Sequence, residues 1–220
     1  MNIIEYGSNW IIQDKLDDKL INEIKDFFGS HIDFLYKDKE GYSTTGNNSE
    51  QYWLKREYGK TPFNYKNQEC EEIKQKFKEQ VYGRLEAASL LKDDVCIEEN
   101  ASWTVIGEEG SYHTVHTHGK MSGHAVSCVL YLNVPEVSES EDAFHLNNIF
   151  LILHTNQLSS PFVRNSCESV QHVKPKVGTL LIFPTNVPHG TYPQTKGIRQ
   201  TFNVDYQFLH KNKTKNISYN

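Results

Sequence analysis

Apolar positions in the first third of the chain recur with a helical period. Leu16, Leu20, Ile21, Ile24, Phe27 and Phe28 fall three and four apart, so they share one face, and Gly29 stops the pattern. Asp14 or Asp17 supplies a capping oxygen at the start of this helix. Ahead of it, the run Trp10-Ile11-Ile12 within Ser8–Asp14 predicts a strand. A second helix is predicted over Asn67–Leu91. There Ile73, Phe77, Val81, Leu85 and Leu90 form an apolar stripe, Glu and Lys fill the solvated face, and Lys92-Asp93-Asp94 ends it. Between the helices, Lys37–Tyr65 is polar and rich in Gly, Ser, Thr, Asn and Tyr. It reads as a long loop, plain connection before lid.

From Val95 onward the period shortens. Eight runs alternate with turn residues: Ile97–Ile106, Ser111–Thr117, Ala125–Val134, Phe144–Thr155, Ser169–Val173, Gly178–Phe183, Gly190–Tyr192 and Arg199–Phe208. Short strands at this spacing predict a mainly β fold, a barrel or jelly roll, with the N-terminal α-helices packed on one sheet. The chain then divides into a helical support with its loop (1–94), a β core (95–209) and a tail (210–220). Its 220 residues suffice for one domain of this kind.

Composition narrows the function classes. A net charge of −5 argues against nucleic acid as the main partner, because phosphate binding needs a basic surface. No apolar run approaches the roughly 20 residues of a membrane span. The start MNIIEYGSNW has neither a basic nor an apolar block, and Cys70, Cys96, Cys128 and Cys167 show no CxxC spacing. Free thiols and a cytoplasmic location are therefore expected.

Three segments carry chemistry. Ser111–His118 holds His113, His116 and His118 on a predicted strand. Side chains two apart on a strand face the same way, so His116 and His118 present two imidazoles side by side, as a metal needs. His113 has the opposite parity to His116. The second segment, Gly178-Thr-Leu-Leu-Ile-Phe-Pro-Thr-Asn-Val-Pro-His189-Gly190, is an apolar strand running through a Pro-rich turn to one histidine, a candidate third ligand. In the third, Arg199-Gln-Thr-Phe-Asn203, strand alternation puts Arg199, Thr201 and Asn203 on one face. Phe202, Val204, Tyr206 and Phe208 then form an apolar face suited to the N-terminal helices. An inward-facing Arg199 is costly unless paired, and its planar fork suits a ligand carboxylate.

His-x-His, then Val129-Leu-Tyr-Leu-Asn133, then Gly-Thr-Leu-Leu-Ile-Phe-Pro…Pro-His-Gly, then Arg-x-Thr-Phe-Asn resembles the Fe(II)/2-oxoglutarate-dependent oxygenases. The likeness runs from about Ser102 to Tyr206. It is nearest to the subfamily found in bacteria and phages, and more distant from the prolyl hydroxylases. The resemblance implies a double-stranded β-helix holding one Fe(II) through His116 and His189. His118 stands where most of the superfamily has Asp or Glu, and water, His113 or His124 could fill that place instead. Arg199, helped by Thr201 and Tyr131, would bind the distal carboxylate of 2-oxoglutarate. Oxidative decarboxylation to succinate, with O2 as oxidant, would be coupled to substrate hydroxylation. Relatives act on proline, other protein side chains, nucleobases and small molecules. Trp103 and Tyr112 could line a substrate pocket here, although buried aromatics are more often plain core.

Two other readings stand beside this one. Gly110 and His116-x-His118 echo a cupin motif, though Gly-Lys-Met-Ser-Gly follows where a cupin has Glu. A cupin-like metal enzyme or module without 2-oxoglutarate would have no need of the Arg199 fork. A non-enzymatic jelly roll would owe its histidine pattern to chance among ten histidines.

Overall fold

The structure is a computed structural model. It describes residues 1–6, 9–38, 49–56, 62–118, 124–136, 150–153, 170–174 and 176–211. In chain order the elements are β1 (Asn2–Tyr6), β2 (Asn9–Lys15), α1 (Asp18–His31), β3 (Tyr36–Lys37), β4 (Ser49–Arg56), β5 (Phe63–Asn64), α2 (Gln68–Ala87), β6 (Val95–Gly107), β7 (His113–His116), β8 (Ala125–Asn133), β9 (Phe150–Leu153), β10 (Val170–Val173), β11 (Thr179–Pro184), β12 (His189–Thr191) and β13 (Arg199–His210). A short 3-10 turn, Ile32–Phe34, follows α1.

These strands form two sheets. The larger runs β1-β2-β11-β8-β13-β6-β4-β3, with β5 also on β4, and the smaller runs β10-β9-β12-β7. Every pairing among the described residues is antiparallel. The fold is mainly β with two α-helices, whose apolar side chains share one buried cluster with strands of the larger sheet.

Alternation along the central strands separates two cores. On β13, Phe202, Val204 and Tyr206 join the helix side chains Leu20, Ile24, Phe28, Ile73, Phe77 and Val81 in one buried cluster. Phe202 sits between the helices, its ring 5.5 Å from Phe28 and 5.0 Å from Phe77. Full burial of such a ring stabilises the fold by about 1.5–3 kcal/mol. On the opposite face, Ile11, Val129, Tyr131, Leu181 and Phe183 meet Val173 and Val187 in a smaller cluster. The polar face of β13, from Arg199 to Asp205, lies on this second side.

Local chemistry sets the helix ends. Asp17 caps α1, its carboxylate accepting from the N–H groups of Lys19 and Leu20. The helix runs past Gly29 to His31. Gly29 keeps helical geometry, and the His31 ring stacks on Phe27 at 4.7 Å, which holds the last turn. Asn67 caps α2, accepting from the Cys70 N–H at 2.6 Å. That helix stops at Ala87, short of the expected Leu91. Ser89 turns into the left-handed region at φ 57°, and the N–H groups of Ser89 and Leu90 close back on Glu86 and Leu85 in a Schellman turn.

One expectation is corrected outright. Lys37–Tyr65 is not simply a loop, because β4 within it pairs along β6 from Ser49↔Gly107 to Lys55↔Ser102. Residues 39–48 and 57–61 of that stretch lie outside the described residues, and so does any lid role for them. β1, which hairpins onto β2, is a further strand beyond the expected set. Most of Phe144–Thr155, the Cys167 thiol and the tail beyond Lys211 also lie outside the described residues. Among the described residues no helix is long and apolar enough to cross a membrane.

Candidate metal centre and the pocket beside it

The smaller sheet brings two histidines face to face. β7 and β12 pair with His116 directly opposite His189. Gly190 permits this close approach, since a Cβ there would lie 2.8 Å from the His113 carbonyl oxygen. His118 lies two residues beyond β7, its N–H donating to the Thr185 carbonyl at 3.0 Å. Ring centroids are 4.4 Å apart for His116 and His189, 5.1 Å for His118 and His189, and 5.4 Å for His116 and His118. One nitrogen from each ring lies within 4.8 Å of the other two. Small side-chain adjustments bring such a trio to metal–nitrogen distances of about 2.0–2.1 Å.

Each ring is held by its other nitrogen. Nδ1 of His116 donates to the Thr114 carbonyl at 2.8 Å, and Nδ1 of His189 to the Val187 carbonyl at 2.8 Å. Nδ1 of His118 donates to Asp205 Oδ2 at 2.7 Å. A carbonyl or carboxylate oxygen has no proton to give, so Nδ1 carries a hydrogen in all three, and in the neutral ring Nε2 presents the lone pair. Metal-ligating imidazoles are commonly oriented this way.

Burial pushes the pKa of His116 down, and that of His189 well down, which keeps both rings neutral and ready to bind a cation. Burial acts the same way on His118. There the charge and hydrogen bond of Asp205 outweigh it, and the net direction is up. Asp205 is 4% exposed, and its Oδ1 has no partner among the described residues.

The same inward face carries a buried cation. Arg199 is 3% exposed, and no carboxylate pairs with it among the described residues. Its Nη2 donates to Thr191 Oγ1 at 3.3 Å, while Nη1 is buried without a partner among those residues. Tyr131, opposite Thr201 across β8 and β13, has a buried Oη equally unpartnered. Thr201 Oγ1 accepts from Asn203 Nδ2 at 3.0 Å and keeps a proton to donate. Burial pushes the Tyr131 phenol up, so it stays a neutral donor. The arrangement is a desolvated cation with unpartnered neighbouring donors, on the same face of the fold as three histidines that could hold a metal ion.

The structure brings together His116, His118 and His189, and places Arg199, Thr201 and Tyr131 on one inward surface. Trp103 lies 5.7 Å from the His118 ring and 5.1 Å from Trp53. Tyr112 is exposed and makes no ring contact with the three imidazoles. His124 is exposed and outside the cluster. Asp205, Thr191 and Trp53 were not singled out from sequence. Asp205 was within reach, because it continues the Arg199–Thr201–Asn203 alternation by one step.

Residues 101–205 match the family described as "Putative 2OG-Fe(II) oxygenase". No curated protein sequence matches the chain. Solved structures share its fold at low identity. An oxidoreductase of the 2OG-Fe(II) oxygenase family from Burkholderia pseudomallei superposes with a TM-score of 0.66 at 10% identity, covering 90% of this chain and 84% of that one. A prolyl-4-hydroxylase from Pseudomonas putida gives 0.57 at 14%, covering 91% and 93%. HygX from Streptomyces hygroscopicus, solved with nickel and 2-oxoglutarate bound, gives 0.54 at 12%, covering 90% and 82%. The matched segment contains every residue of the cluster and its surroundings except Trp53, so the part of the chain that is similar to the 2OG-Fe(II) oxygenases is the part that carries the candidate site.

Proposed function

We propose that the chain is an Fe(II)/2-oxoglutarate-dependent dioxygenase that hydroxylates a small molecule or a protein side chain, built as one domain on a double-stranded β-helix. His116, His118 and His189 hold the metal. Arg199, with Tyr131 and Thr201, takes the distal carboxylate of 2-oxoglutarate. When bound, Fe(II) and the keto acid together supply oxygen activation, giving succinate, carbon dioxide and a hydroxylated C–H bond. Three imidazoles suit iron as well as other divalent metals and leave coordination positions open. They bring no negative charge of their own, but Asp205 places one just behind His118. With it, the two positive charges of Fe(II) and one of Arg199 balance Asp205 and the 2-oxoglutarate dianion, so the loaded centre carries no uncompensated buried charge.

The observation that carries this reading is Arg199. A guanidinium 3% exposed, with one unpartnered nitrogen and no protein carboxylate among the described residues, is costly unless an anion fills the place. A cupin-like centre that binds metal alone leaves that cost unexplained. HygX, with nickel and 2-oxoglutarate bound, supports the diacid. The test is an anaerobic titration of the protein with Fe(II) and then 2-oxoglutarate, following the visible charge-transfer band of the chelate, with succinate release measured on admitting air. Wild type is expected to give both. Loss of metal uptake in His116→Ala and His189→Ala, and of 2-oxoglutarate binding in Arg199→Ala, completes the assignment. Metal uptake with no keto-acid band selects the cupin-like reading.

A further inference from the structure

We infer that His113 is an additional donor to the cosubstrate's distal carboxylate, completing the anion receptor that Arg199 and Tyr131 begin. The inference rests on the cosubstrate reading above. His113 is not one of the three clustered metal-binding histidines, and its ring centroid lies 6.1 Å from that of His116. Its Nε2 is nevertheless buried and without a hydrogen-bond partner among the described residues. Thr191 ties the backbone at His113 to Arg199. Thr191 Oγ1 accepts from the His113 backbone N–H at 2.9 Å and from Arg199 Nη2 at 3.3 Å. One hydroxyl thus fixes the start of β7 against the guanidinium head.

Among the described residues, three buried donor groups are then left without partners: Arg199 Nη1, Tyr131 Oη and His113 Nε2. A carboxylate offers two oxygens with about four acceptor positions, enough to satisfy all three together. A neutral imidazole donates through Nε2–H when its tautomer places the proton there, and a protonated one donates in any case. His113 therefore adds selectivity for a diacid at the pocket's far end and takes no part in holding the metal.

The test measures 2-oxoglutarate affinity from the charge-transfer band in anaerobic Fe(II) protein, alongside Fe(II) affinity, for wild type, His113→Ala and His113→Gln. His113→Ala is expected to weaken 2-oxoglutarate binding about tenfold, the scale of one hydrogen bond to a charged group. Its Fe(II) affinity and band position should stay as in wild type. His113→Gln, whose amide keeps a donor, should recover most of the loss. Wild-type 2-oxoglutarate affinity in His113→Ala overturns the inference. So does an equal loss of Fe(II) affinity, which would mean the ring acts through the metal site, or a shifted band, which would place it at the keto end. If Arg199→Ala also binds 2-oxoglutarate as tightly as wild type, the cosubstrate reading itself fails.

Discussion

Asp205 stands directly behind His118, its Oδ2 accepting the Nδ1 proton at 2.7 Å, and it is nearly fully buried. The negative charge that a ligating carboxylate would bring is thus moved one residue outward and reaches the metal position through the imidazole. Orientation and charge can be separated, because Asn keeps an acceptor oxygen for Nδ1–H but removes the charge. Removing such a partner typically costs 10–100-fold in metal affinity. Asp205→Asn is expected to bind Co(II) about tenfold more weakly, and Asp205→Ala about a hundredfold, in competition with a chromophoric chelator. Unchanged affinity in both variants would leave Asp205 with a structural role alone. Strand parity made His116 and His118 readable as a pair, put Arg199 on the inward face and ranked His113 below them, while His189 was readable from the turn that ends the apolar strand. What parity could not reveal is that the backbone at His113 is tied to Thr191, 78 residues away in sequence. Nor could it show how close His116 comes to His189, which needs Gly190 against the His113 carbonyl.

Among the elements, the helices were legible because each carries a full apolar stripe, whereas β4 was not. Leu54 is the one fully buried side chain of β4, and Ser49, Glu50 and Gln51 give that strand the composition of a loop. Its pairing with β6 is a long-range fact that no local window contains. The end of α2 was missed for a different reason, since Ser89 adopts a left-handed conformation that serine seldom does. The same helix is tied to the sheet by Arg84, whose Nε donates to Asp14 Oδ2 on β2 at 2.8 Å. Burial alone would raise the Asp14 pKa. Hydrogen bonds from the Met1 ammonium and the Lys15 N–H, with the charge of Arg84, outweigh it and set the value low. A lowered carboxyl pKa contributes stability that is present above the ordinary Asp value of about 3.9 and is lost as pH falls through the folded value. Asp14→Asn is therefore expected to be less stable than wild type by about 1 kcal/mol at pH 7. The gap should hold above about pH 4 and narrow as pH falls below it in urea unfolding curves. A gap that does not narrow below about pH 4 would assign it to packing rather than to charge.

At the scale of the whole molecule, the centre joins two sheets that otherwise share a small apolar interface. His116 and His189 belong to the smaller sheet, whereas His118 is anchored to the larger one through Asp205, and Arg199 and Tyr131 stand on the larger sheet itself. A metal ion held by all three histidines would tie the two sheets together, and on the proposed reading a diacid bound by Arg199 would tie them again. Both ligands bind the folded state and not the unfolded chain, so each stabilises it by mass action, about 2.7 kcal/mol at a hundred times its Kd. For a chain of this size that corresponds to a rise in Tm of roughly 5–10 °C. Ni(II), which does not turn over, is expected to raise Tm by this amount. 2-Oxoglutarate should raise it further when Ni(II) is present, and little when it is absent, because its keto-acid end needs the metal to bind. Arg199→Ala should keep the Ni(II) increment and lose the 2-oxoglutarate increment. His189→Ala should lose both. Additive, independent increments in wild type would mean that the two ligands bind apart, and that the cluster and the cationic pocket are not one site.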